Sequence, residues 1–106
     1  MSVIVTVRVK GDPGKLEEVA GANPDRMHSI VDAAKQHGVI AHRFYGSEDG
    51  EVLVIDEWPD GASFHAFFEE TQGPVGSMMQ EAGLTSAQPD VTVWRKLDTH
   101  DEIGWD

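Results

Sequence analysis

The sequence predicts an α+β fold in which strands and helices follow one another as β-α-β-β-α-β. Three observations carry that prediction. Val3, Val5, Val7 and Val9 alternate with other residues, the period of a strand with one face on a core. Asp49-Gly50 joins two apolar runs, the signature dipeptide of a hairpin. Phe64, Phe67 and Phe68 recur at helical spacing directly after a strand that ends in Trp58-Pro59.

The elements follow in order. On the first strand the valines face inward, and Ile4, Thr6 and Arg8 form a mixed outer face that suits a second sheet or a partner subunit. Gly11-Asp12-Pro13-Gly14 is turn chemistry. A brief helix follows through Leu16 and Val19, and Gly21-Ala22-Asn23-Pro24 interrupts it. Asn23 is a good cap and Pro24 a good first residue for a longer helix to His37. Met27, Ile30, Val31 and Ala34 make its buried stripe, and Gly38 stops it. Val39 to Ser47 reads as the second strand, Ser47 to Gly50 as the hairpin loop, and Glu51 to Trp58 as the third strand. Pro59 has no backbone donor and ends the pairing. Asp60 caps the phenylalanine helix, Thr71-Gln72-Gly73-Pro74 breaks it, and Val75, Met78, Met79 and Ala82 form a second short helix closed by Gly83. Val91 to Leu97 is the fourth strand. This order is the ferredoxin-like split βαβ pattern, an antiparallel sheet with helices on one face. The other face would show Ile4, His42 or Arg43, Phe44 or Tyr45, and Trp94, and pairing two such faces in a homodimer would cover them.

Composition narrows the function. The 106 residues form one domain by length, 1–97, followed by an acidic tail, 98–106. The tail is expected to be solvated, with Trp105 its one hint of docking. A net charge of −11 repels phosphate backbones, which argues against nucleic-acid partners. No cysteine is present, so neither a disulfide framework nor a cysteine metal site can form. No apolar run approaches the ~20 residues of a membrane span, and the polar alternation of the first strand is unlike a signal peptide, so a cytoplasmic protein is expected.

The arrangement resembles the antibiotic biosynthesis monooxygenase domain of the dimeric α/β barrel superfamily. The resemblance lies in the Gly38-Val39 entry to the second strand, the hairpin through Gly50, and the strand-end Glu57-Trp58 followed by a helix with Phe64 and Phe67. It implies a dimeric α/β barrel and a hydrophobic or aromatic small-molecule ligand. Its chemistries include cofactor-independent oxygenation, in which an electron-rich phenolate reduces dioxygen itself, so no cofactor is implied. Oxidative haem degradation is another, and it needs an Asn, a Trp and a His where a gapless match places Val7, Phe67 and Ser77. All three depart from that pattern, which argues against haem. Many monooxygenase members carry a His at the position of Phe67, so the base must be sought elsewhere.

Three side chains are candidate catalytic groups. His65 lies on the phenylalanine helix and is the first choice for a general base. His28 and His42 are alternatives, and the five histidines show no metal-ligand spacing. Asp56 and Glu57 are neighbours on a strand, so only one can face the helices, where a carboxylate in an apolar setting suits proton transfer. The competing reading is an ion pair with Arg8, Arg43 or Arg95. The expected pocket is lined by Val7, Trp58, Phe64, Phe67, Phe68, Met78 and Met79, which become a pocket instead of plain packing if the core is underfilled. A non-catalytic binding module would instead have a filled core.

Overall fold

A computed structural model of the chain describes residues 2–84 and 89–104. Eight elements follow one another: β1 (Val3–Lys10), α1 (Pro13–Ala22), α2 (Pro24–Gln36), β2 (Ala41–Gly46), β3 (Glu51–Trp58), α3 (Gly61–Glu70), α4 (Gln72–Glu81) and β4 (Asp90–Arg95). The sheet order is β2-β3-β1-β4 with every pair antiparallel. This is the ferredoxin-like arrangement that the order of elements predicts.

Caps set most boundaries as read from the sequence. Asn23 accepts a hydrogen bond from the Arg26 amide at 3.1 Å, and Asp60 accepts one from the Ser63 amide at 2.8 Å. The same Ser63 amide bond, placed at a helix N-terminus, holds the Asp60 carboxyl below its ordinary range. Several boundaries differ from expectation: β2 is shorter than Val39–Ser47, and β4 stops at Arg95, short of Leu97. The Gly11–Gly14 turn is shorter than predicted, because Asp12 caps the Gly14 amide at 2.9 Å and Pro13 already opens α1. The break between α3 and α4 is Thr71 alone. Pro74 sits in the first turn of α4, where its missing N–H has no intrahelical partner to lose. Gly38, at φ +89°, ends α2 in the left-handed conformation that its lack of a Cβ permits.

Strand parity sorts the side chains. Val5, Val9, Val52, Asp56 and Trp58 lie under the helices and are buried. The opposite face carries Ile4, Thr6, Arg43, Tyr45, Ile55, Glu57 and Trp94, among which Ile4, Tyr45 and Trp94 are 37, 48 and 53% exposed. Trp94 Nε1 donates to Thr6 Oγ1 at 2.8 Å and lies against that face. The last described residues, 98–104, are exposed, tethered by a 2.9 Å ion pair from Lys96 to Glu102. Trp105 lies outside the described residues. No helix among the described residues is long and apolar enough to cross a membrane.

The buried core is divided. One cluster gathers Val9, Leu16, Val52, Met78, Ala82 and Leu84; the other gathers Val5, Ala34, Trp58, Phe64 and Phe67. Arg26 on α2 grips Glu81 on α4 through two hydrogen bonds, at 2.5 and 3.2 Å, and holds the Glu81 carboxyl below its ordinary range.

Candidate active site

A cavity of about 290 Å³ lies between helices and sheet, walled by residues of both core clusters. That is close to the lower end of small-molecule sites, about 300–1,000 Å³. Six of the seven expected pocket residues line it: Val7, Phe64, Phe67, Phe68, Met78 and Met79. The core is therefore not filled. Three aromatic rings come from one helix because Phe64, Phe67 and Phe68 share a face, and Phe64 stacks on Phe68 with centroids 5.6 Å apart. Met27, Ile30 and Val31 of α2 close the opposite side.

Trp58 is the exception. It is fully buried and lies behind the cavity wall, against Phe64 at 5.9 Å and Phe67 at 5.2 Å. The strand-end position puts it under the helices, where the two phenylalanines cover it. Its role is to support: Nε1 donates to Asp56 Oδ2 at 3.1 Å. Residues 56 and 58 share a face of β3, so the indole N–H reaches the carboxylate two residues earlier.

Asp56 is 5% exposed and lines the cavity. The expected ion pair with an arginine does not form. Its partner is His42, paired directly across β2 and β3, with Nδ1 2.6 Å from Oδ1. A carboxylate only accepts, so the Nδ1–H of His42 is the donor, and in the neutral ring Nε2 is the nitrogen that holds a lone pair. The ring also packs edge-on against Phe44, centroids 5.1 Å apart, which fixes its orientation. His42 itself lines the cavity. The result is a histidine whose tautomer is set by a buried carboxylate, which an indole N–H holds in turn: Trp58–Asp56–His42.

The other two candidate catalytic residues lie elsewhere. His65 is exposed on α3 and does not line the cavity; in a helix whose buried stripe is 64, 67 and 68, position 65 turns outward. Glu57 points to the uncovered face, where it accepts from Ser2 Oγ at 2.6 Å. Arg8 pairs with Glu51 at 2.9 Å instead of with either acid. Position 77, the would-be haem-ligand site, is an exposed serine on α4. No group of three or more His, Asp or Glu side chains among the described residues could hold a metal ion.

Sheet order and one-sided helices define the class: an α+β protein with the ferredoxin-like fold. No protein-family model matches the sequence, and no curated protein sequence matches it. Solved structures do. An antibiotic biosynthesis monooxygenase aligns over 91% of this chain and 99% of its own, with TM-score 0.63 and 16% identity. SnoaB, a cofactor-independent oxygenase from Streptomyces nogalater, aligns over 95% and 98%, with TM-score 0.60 and 16% identity. A dimeric ferredoxin-like protein from an uncultured marine organism aligns over 92% and 89%, with TM-score 0.66 and 9% identity. At these identities the common property is the fold, shared along nearly the whole chain with proteins named for antibiotic biosynthesis monooxygenation.

Proposed function

We propose that the chain is an oxygenase of the antibiotic biosynthesis monooxygenase type, acting without a cofactor on a planar hydrophobic molecule bound in the cavity between helices and sheet. One observation carries this reading: a mostly apolar cavity has the His42–Asp56 pair on its wall. His42 Nε2 accepts a proton from the substrate, and Asp56 stabilises the imidazolium that forms. The substrate anion is electron-rich enough to reduce dioxygen directly. For an anthrone, a ring CH2 and O2 become C=O and H2O, with the proton returned through His42. The phenylalanines and methionines exclude water and hold the ring.

The test is turnover of an anthrone and quinol panel under air and under argon. Oxygen-dependent quinone formation is expected; its absence from every compound would sink the oxygenase reading and leave a binding protein.

The active form in this reading is a homodimer, joined through the sheet face that carries Ile4, Tyr45 and Trp94. Such an apolar patch is costly to leave in water, and two-fold pairing of the same surface covers it. In gel filtration with light scattering, the chain is expected at twice its monomer mass. Trp94→Glu, which buries a charge in that interface, is expected to elute as a monomer. A wild-type monomer at tens of micromolar would refute the pairing.

A further inference from the structure

We infer that the cavity selects ligands that enter uncharged, and that it excludes those carrying a carboxylate or another fixed anion. The inference rests on the cavity being a binding site for an apolar molecule and adds a charge rule to it.

The argument begins with what the lining lacks. Its polar side chains are His42, Asp56 and Gln72, and no lysine or arginine lines it among the described residues. Residues 85–88 are Thr-Ser-Ala-Gln and bring no cation by their chemistry. Three arginines adjoin lining residues in sequence. Arg26 beside Met27 is committed to Glu81. Arg8 beside Val7 and Arg43 beside His42 turn to the other face of the sheet, where Arg8 pairs with Glu51 and Arg43 donates to Tyr45.

Charge bookkeeping then separates two kinds of ligand. With a neutral imidazole, the His42–Asp56 pair carries one negative charge. A neutral ligand that gives its proton to His42 leaves the total at one: the imidazolium faces both the Asp56 carboxylate and the new ligand anion. A ligand that arrives with a carboxylate adds a second negative charge beside Asp56, with no cation on a mostly apolar lining to meet it. The chain's net charge of −11 opposes its approach as well. Cations gain less from Asp56 than from a free carboxylate, because His42 and Trp58 already donate to its two oxygens.

Three probes of one ring system test this on the full chain by titration calorimetry at pH 7.5: 2-naphthol, methyl 6-hydroxy-2-naphthoate and 6-hydroxy-2-naphthoic acid. The ester matches the acid in size and differs in charge. The naphthol and the ester are expected to bind within about threefold of each other, and the acid about a hundredfold more weakly, the scale of an uncompensated charge in an apolar site. Gln72→Arg places a cation on the lining from an exposed position on α4, where folding is little disturbed. It is expected to narrow the gap between acid and ester about two- to fivefold, the scale of one ion pair at a protein surface, so the readout is the ratio of the two affinities. Equal binding of acid and ester overturns the charge rule and leaves the cavity reading intact. Equal weakening of both also overturns it, because size then decides. Failure of 2-naphthol to bind removes the cavity reading itself.

Discussion

In the proposed oxygenase, exchange of His42 for glutamine is expected to lower oxygen-dependent turnover about a hundred- to ten-thousandfold, the usual contribution of a positioned general base. Glutamine has similar bulk and keeps a polar group toward Asp56, so ligand affinity should change by no more than about threefold. The loss therefore falls on kcat. Asp56→Asn should reach a similar loss by another route. The Trp58 indole N–H would still donate to the asparagine carbonyl, which turns the amide NH2 toward His42. His42 Nδ1 then becomes the acceptor and Nε2 carries the hydrogen, so the lone pair no longer faces the substrate. His65→Gln is the control. That side chain is exposed and off the cavity lining, and its replacement should leave both constants unchanged. Oxygen-electrode kinetics on the three variants decide the matter. Full activity in His42→Gln, or collapse in His65→Gln, would remove the pair from the chemistry.

The fold was legible because its signals are local and agree with one another. Valine alternation, the Asp49-Gly50 hairpin, the Asn23 and Asp60 caps and the Phe64-Phe67-Phe68 stripe each name one element, and together they leave one order. The site was less legible because it depends on register. Reading the hairpin loop as Ser47–Gly50 pairs Gly46 with Glu51, which would set His42 opposite Ile55. In the structure Gly46 pairs with Val52, so His42 meets Asp56. The Ser47 amide donates to the Glu51 carbonyl at 2.9 Å, which makes room for that extra residue. A slip of one residue moves a whole strand's side chains to the other face. The signal that resolves it is parity: Val52, Val54, Asp56 and Trp58 share one face, and Phe44 shares its face with His42. A buried tryptophan two residues after an aspartate already marks which of Asp56 and Glu57 turns inward. His65 had the reverse problem. It sits among three phenylalanines in the chain, but helical geometry turns it to solvent.

Trp58 joins the two halves of the molecule, its packing and its chemistry, and its substitutions should separate them. Trp58→Ala removes a fully buried indole and the cover it gives Phe64 and Phe67. A loss of about 3–5 kcal/mol is expected, a large part of the roughly 5–15 kcal/mol that stabilises a domain of this size. Trp58→Phe keeps much of the bulk and removes only the N–H. It leaves Asp56 Oδ2 without its donor, a cost of about 1–3 kcal/mol, or a melting point lower by roughly 4–8 °C per kcal/mol. Stability alone would not reveal positioning, so turnover is the second readout. With Oδ2 released, the Asp56 carboxylate can rotate and His42 loses its fixed partner, so kcat should fall about tenfold or more while KM stays nearly constant. Val52→Ala supplies the comparison, since Val52 is 2% exposed, belongs to the other core cluster and lies off the cavity lining. It should lose a similar one to three kcal/mol, about the transfer energy of the lost methyl groups plus the small cavity left, and keep kcat. If Trp58→Phe and Val52→Ala lose stability alike and both retain full kcat, the indole N–H is packing and the His42–Asp56 pair holds its geometry without it.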